Sequence, residues 1–194
     1  MTWLAHLHPV LIRQQLDYQI FVVDQTDDWV FNKGAIMNAA FLEARKLDNF
    51  TCYVFHDVDM VPETDLALYR CPPSSREVLH LAVAVSRWRY RLTYPSYLGG
   101  IVLMSPETFL NIGGFSNSFW YWGGEDDDLY CRIMRHNITI RRYLVQLKYT
   151  KRWRVCEALC HHVIQKYSST DSQYARRKLK NLTVICNMPL KRIM

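Results

Sequence analysis

Thr51-Cys52-Tyr53-Val54-Phe55-His56-Asp57-Val58-Asp59 is the stretch that decides the fold. Its first half, Thr51 to Phe55, is a run of β-branched, aromatic and small apolar residues without polar alternation. That is the pattern of a strand buried on both faces. The run then meets two aspartates one residue apart. Side chains at i and i+2 of an extended chain point to the same side, so Asp57 and Asp59 can address one ligand. Paired carboxylate oxygens suit Mg²⁺ or Mn²⁺, and such an ion can neutralise a diphosphate. A D-x-D pair also reads as two exposed loop carboxylates. Its place at a strand end favours the ligand reading.

Working outward, His8 to Leu16 reads as a short helical segment and Tyr18 to Asp24 as a buried strand. Phe31-Asn32-Lys33 leads into a helix, Gly34 to Lys46, with Met37, Ala40, Phe41 and Ala44 on one stripe. Further strands are predicted at Val78–Val85 and at Tyr97–Met104, the latter opened by Gly99-Gly100. Pro106 to Asn111 reads as a short helix with proline at its start, and Glu125 to His136 as another. Strands alternating with helices imply an α/β sheet whose ligands gather at strand C-terminal ends.

The 194 residues suffice for one domain, and 49% apolar content excludes a disordered chain. No apolar run reaches the ~18 residues of a membrane span, and Met1 to Arg13 is a poor signal peptide. A targeting segment, if the protein is secretory, is expected outside this chain. The net charge of +6 is uneven: residues 141–194 carry 13 Lys/Arg against 2 Asp/Glu. This basic stretch reads as a solvated face or a divergent remnant. No nucleic-acid motif accompanies it, so no nucleic-acid partner is expected. Six cysteines and three N-x-[S/T] sequons, at Asn49, Asn137 and Asn181, tilt the compartment towards an oxidising lumen.

A second cluster carries chemistry: Trp120-Tyr121-Trp122-Gly123-Gly124-Glu125-Asp126-Asp127-Asp128. Four consecutive carboxylates repel one another, and a helix N-terminus is where a fold tolerates them. They read either as an over-charged cap or as the seat of a general base whose pKa its neighbours raise. The tryptophans read either as core or as flat faces for stacking on sugar rings.

The order and spacing of these motifs is specific. Leu7-His8-Pro9-Val10-Leu11, Gln14 to Tyr18, Phe31-Asn32-Lys33, Phe55 to Asp59, Tyr69-Arg70-Cys71, Tyr97 to Gly100, Gly113-Gly114-Phe115 and Trp120 to Asp128 follow one another as in a known family. Over about residues 7–142 the chain resembles the β-1,4-galactosyltransferases. Residues 143–194 form a divergent basic tail, and 1–194 is read as one partial catalytic domain. The resemblance implies a single GT-A-type α/β domain, a mixed sheet with flanking helices lacking the first nucleotide-binding strand. It also implies inverting, Mn²⁺-dependent transfer of galactose from UDP-galactose to the 4-hydroxyl of a GlcNAc-type acceptor glycan. The full-length protein is then expected in the Golgi lumen behind a membrane anchor.

Residue by residue, the resemblance makes Asp126 the base that takes the acceptor proton and Asp59 a metal ligand. Phe31, Lys33, Asp57, Val58, Arg87, Trp122 and Glu125 fall on donor-side positions. Tyr94, Tyr97, Phe119, Gly124 and Asp127 fall on the acceptor side. Tyr97 sits where an aromatic ring would exclude a bulky C2 substituent and favour galactose over N-acetylgalactosamine. Cys52 and Cys71 match a disulfide pair; read alone they are equally two free thiols. Departures also exist. Lys33 replaces an arginine, a point charge in place of a fork. The uridine-binding P-F-R-N-R strand, which precedes Leu7 in the family, is absent. The metal-ligating M-x-x-H segment aligns only with a short insertion, at Leu159 to His162, making His162 the second protein ligand. Cys156, Cys160 and His161 could belong to a zinc site, but no second ligand pair follows. These departures motivate the alternative of an impaired fragment or a lectin-like, partner-binding remnant.

Overall fold

The computed structural model describes residues 2–25, 30–143, 148–151 and 178–188. Its centre is β2 (Cys52–His56), buried at all five positions as the apolar run predicts. In chain order the other elements of the main sheet are β1 (Asp17–Gln25), β4 (Glu77–His80), β6 (Ile101–Met104), β7 (Thr139–Arg142) and β9 (Lys178–Met188). They form a six-stranded mixed sheet in the order β1-β9-β2-β6-β4-β7. β2 is antiparallel to both β6 and β9, while β4 and β7 run parallel. β3 (Met60–Pro62), β5 (Ala84–Val85) and β8 (Lys148–Lys151) make a second, three-stranded sheet.

Period-2 alternation sends side chains to two cores. Tyr53 and Phe55 of β2, with Val102 and Met104 of β6, face α2 (Lys33–Leu47), α3 (Pro106–Asn111) and α4 (Glu125–Arg135). Val54, Ile101 and Leu103 face the other way, onto Leu7, Val10 and Leu11 of α1 (Thr2–Arg13). The predicted stripe Met37, Ala40, Phe41 and Ala44 is buried throughout. α2 starts where Asn32 Oδ1 accepts the Ala35 N–H at 2.9 Å, one of the donors a helix start leaves orphaned.

The excursion after β2 is tied down on three sides. Cys52 and Cys71 are disulfide-bonded with Cα atoms 5.6 Å apart. Arg13 makes a two-pronged pair with Asp65, and Gln14 bonds Asp65 O, Ala67 O and the Tyr69 N–H.

Three predicted elements differ. The strand expected over Val78–Val85 is two strands in two sheets. The run is buried at every position but Ala84, so it carries no periodicity to mark a break. The Leu81 N–H still donates to Ile101 O at 2.9 Å, after which the chain turns away. Of Tyr97–Met104 only Ile101–Met104 is strand; Tyr97–Gly100 is a turn whose last residue has φ +88°. The first helix begins at Thr2 rather than His8. β9, within the stretch read as a basic tail, lies between β1 and β2 and pairs with both. β1 and β2 are both antiparallel to it, so they run parallel to each other across it. Leu182-Thr183-Val184-Ile185-Cys186 is the β-forming signal inside that stretch.

Candidate active site

The site lies where β2 and β6 meet the starts of α2 and α4. Beyond β2 the Asp57 N–H donates to Gly100 O at 2.8 Å, fastening the D-V-D turn to the turn before β6. His56 holds it from inside. Its Nδ1 lies 2.8 Å from Asp57 O, and a carbonyl only accepts, so Nδ1 carries the proton and Nε2 accepts from Tyr69 Oη at 3.0 Å. Burial lowers the His56 pKa to about 4, so the ring is neutral and that tautomer persists at neutral pH.

Lys33, in the first turn of α2, reaches the centre of the cluster. Its Nζ lies 3.2 Å from Asp57 Oδ1, 3.1 Å from Glu125 Oε1 and 3.0 Å from Asp126 Oδ1. Burial works against the ammonium, but the carboxylates of Asp126, Asp57 and Glu125 outweigh it and raise its pKa well above the usual value. One cation among three carboxylates leaves the cluster net negative if all are ionised. Burial above all, then Glu125 and Asp57, push Asp126 up to about 6, with Lys33 opposing. The expectation that neighbouring carboxylates raise this pKa is thus corrected in its ranking: burial comes first.

The remaining carboxylates of the run have their own partners. Asp127 accepts from Tyr94 Oη at 2.9 Å, and Asp128 pairs with Arg132 one turn along at 2.5 Å. Burial and the bond to Asp127 raise the Tyr94 pKa to about 12. The four-carboxylate run is therefore both a helix start, where the dipole favours anions, and a cluster divided among separate partners.

The wall opposite Lys33 is the Tyr97–Gly100 turn. A Cβ on Gly99 would stand 2.5 Å from Asp126 Oδ2 and 2.7 Å from Tyr97 Oη, so any side chain there would displace Asp126 or Tyr97. Tyr97 packs edge-on against Trp88, His80 and Tyr94, with ring centroids 5.1–5.6 Å apart. Its hydroxyl pKa is raised by burial and by Asp126 and Asp57.

Lys33, Asp57, Glu125, Asp126 and Tyr97 thus converge, with Tyr94 and Asp127 beside them. Phe119 occupies the space that a Cβ on Gly124 would need, and Phe31 O accepts the Tyr121 N–H at 2.8 Å. Asp59 and Val58 are half-buried in the turn after β2. Arg87 is exposed on a 3₁₀ turn at Ser86–Trp88, and Trp122 is 86% exposed. Asn49 and Asn137 are exposed, and Asn181 lies on β9. His162 lies outside the described residues. Among those residues no three His, Cys, Asp or Glu side chains are grouped to hold a metal ion. No helix of theirs is long and apolar enough to cross a membrane. The residues that the sequence reading missed are His56, His80 and Arg142.

The glycosyl transferase group 7 N-terminal region matches residues 1–72, and the N-terminal domain of galactosyltransferase matches residues 79–154. Mouse β-1,4-galactosyltransferase 4 (Mus musculus) is 49% identical over 139 residues, covering 72% of this chain and 40% of the relative. Human β-1,4-galactosyltransferase 1 (Homo sapiens) is 45% identical over 140 residues, 72% of this chain and 34% of the relative. The chain belongs to the β-1,4-galactosyltransferase family.

The solved structures agree on the fold. The catalytic domain of Drosophila β-1,4-galactosyltransferase 7 in complex with xylobiose superposes with a TM-score of 0.65 at 34% identity. That match covers 73% of this chain and 57% of the other. A mutant of the same protein, in complex with manganese, UDP-Gal and xylobiose, gives 0.64 at 33% over the same shares. This member of the β-1,4-galactosyltransferase family therefore has a GT-A fold, and it spans about two fifths of the length of its mouse relative.

Proposed function

We propose that this galactosyltransferase chain transfers galactose from UDP-galactose to the 4-hydroxyl of a GlcNAc-type acceptor, with inversion and with Mn²⁺. The observation that carries the reading is the Asp126 carboxylate, raised to about 6 and set 3.0 Å from Lys33 against the Gly99 backbone. A carboxylate with that pKa is mostly ionised at pH 7 yet basic enough to accept a proton. The acceptor oxygen forms a bond to the anomeric carbon while the bond from that carbon to the diphosphate breaks. The hydroxyl proton passes to Asp126 and UDP leaves. A single in-line displacement inverts the anomeric centre. Tyr97 and Tyr94 flank this space, and Trp122 is free to cover it.

Asp59, a hard oxygen ligand in the turn after β2, would hold Mn²⁺ together with His162 as the second protein ligand. When bound, the ion neutralises charge on the leaving diphosphate. The relative's complex with manganese and UDP-Gal supports this assignment. The Cys52–Cys71 bridge and the exposed Asn49 and Asn137 sequons support a Golgi-lumenal protein, anchored in the membrane when full-length.

The test is UDP release from UDP-galactose with a GlcNAc acceptor, with and without Mn²⁺. Metal-dependent release is expected. UDP or glycan binding without turnover would replace this reading with a lectin-like one. In electron paramagnetic resonance, Asp59→Asn should weaken Mn²⁺ binding in the presence of UDP, and parental affinity would remove Asp59 from the ligand set.

A further inference from the structure

We propose that His80 and Arg142 are positioning residues that hold the Tyr97–Gly100 turn against Asp126; this rests on the reading of Asp126 as the base. Both are terminal residues of neighbouring parallel strands, and the β4–β7 register pairs them directly. Arg142 Nη2 donates to Tyr97 O at 2.9 Å, and its Nε donates to His80 Nδ1 at 3.2 Å. The other ring nitrogen, Nε2, lies 2.9 Å from Gly99 O.

A guanidinium only donates, so Nδ1 must present a lone pair. The neutral ring then carries its hydrogen on Nε2 and donates it to Gly99 O. A single tautomer satisfies both contacts. A second ring proton would face the Arg142 N–H, so the arrangement requires an uncharged imidazole. His80 is fully buried, and burial lowers its pKa to about 4, which keeps it uncharged. The nearby charged pair Glu77–Arg141 is closed on itself by two 2.6 Å bonds.

The consequence lies in which groups are held. Tyr97 O and Gly99 O are fixed by Arg142 and His80, and Gly100 O by the Asp57 N–H. Three carbonyls of one four-residue turn are thereby tied to three different strand ends. Gly99 is the residue whose Cα faces Asp126 Oδ2, and Tyr97 is the ring beside it. Among the described residues, the polar contacts of His80 and Arg142 go to each other and to the turn, not to Asp126 or Lys33; they act on the site through the turn. Misplacing a reacting group by about 1 Å from such a distance costs ~10²-fold in rate.

The test compares Arg142→Met, Arg142→Lys and His80→Gln with the parent, all made in an oxidising compartment. For Arg142→Met, kcat should fall about 10²-fold while UDP affinity stays within about twofold of parental. Arg142→Lys can still donate to Tyr97 O and should recover part of the loss. His80→Gln keeps a donor for Gly99 O and should lose less than Arg142→Met. An unchanged kcat in Arg142→Met overturns the proposal. So does a parallel loss of kcat, UDP affinity and folded fraction that Arg142→Lys does not relieve. Two readouts need no turnover. Nitrogen-15 spectra of histidine-labelled parent should show His80 protonated at Nε2 alone. Hydrogen exchange at the Ile101 amide, which donates to Gly99 O at 3.2 Å, should quicken in Arg142→Met while β2 stays protected. A parent that transfers no galactose but shows both signatures refutes the base assignment and leaves the network standing. A proton on Nδ1, or unchanged exchange at Ile101, refutes the network itself.

Discussion

Two regions of the site, adjacent in sequence, are in opposite physical states. Lys33, Glu125 and Asp126 are largely buried, with side chains 12%, 9% and 23% exposed, and bonded to one another. Three to five residues before this pair of carboxylates, Trp120, Tyr121 and Trp122 are 51%, 73% and 86% exposed. Gly123 and Gly124 separate them, both at positive φ, where glycine alone is unstrained. The polar half is held together by the ion pairs of Lys33 with Asp57, Glu125 and Asp126. The aromatic half leaves large apolar faces in water, a state that ligand burial relieves. The groups proposed to react are thus held by their own contacts, while the aromatic surface beside them stays exposed.

The largest effect should come from the polar half. Asp126→Asn should lower kcat by ~10²–10⁴-fold with UDP binding nearly intact, as loss of a general base does. In the parent, kcat should rise with pH through about 6 and level off above it, because the ionised carboxylate is the active form. Initial rates across pH 4.5–8 check both. Near-parental turnover, or a profile flat through pH 6, would erase the distinction between the two halves.

Next in size is the restraint behind the D-V-D turn. Replacing Cys52 and Cys71 together by alanine should cost about 2–4 kcal/mol of stability, since the bridge closes a 19-residue separation. Urea unfolding of protein made under oxidising conditions measures it. An unchanged midpoint would mean that the turn is held without the bridge.

A smaller effect is expected at the wall between the halves. Tyr97→Leu should raise the use of UDP-GalNAc relative to UDP-galactose by about tenfold, because a phenol fills space that an acetamide needs. Competition between the two donors at equal concentration reads the ratio, and no change would refute the steric account.

The smallest change should follow Trp122→Ala. An exposed side chain without packing should leave stability within about 0.5 kcal/mol. Its loss should raise KM several-fold, corresponding to ~1 kcal/mol of aromatic contact. A large drop in melting temperature would show Trp122 to be structural and would break the comparison from the other side.

Much of this architecture is written locally. The Thr51–Phe55 run specifies a doubly buried strand because nothing polar interrupts it, and all of β2 is buried. Ser105 and Pro106 start α3 where a capping side chain followed by proline belongs. The carboxylate run opens a helix because that is where anions are stabilised. The order of motifs identifies the family without coordinates.

Other features arise only from contacts between distant segments. The Lys33 ammonium meets Asp57, Glu125 and Asp126 through the crossing of two helix starts and a strand end, up to 93 residues apart. Burial, the largest influence on Asp126, is a property of the assembled pocket and leaves no mark on the residues around it in sequence. His80 lies in a buried apolar run and Arg142 among basic residues, and neither setting indicates the other. Strand register alone pairs them. β9 carries a short apolar signal, yet only hydrogen-bonding to β1 and β2 places it inside the sheet. Local sequence determined which segments become strands and helices, because propensity and periodicity act over a few residues. Tertiary structure decided which charges share a pocket, because proximity in space is set by how the sheet closes.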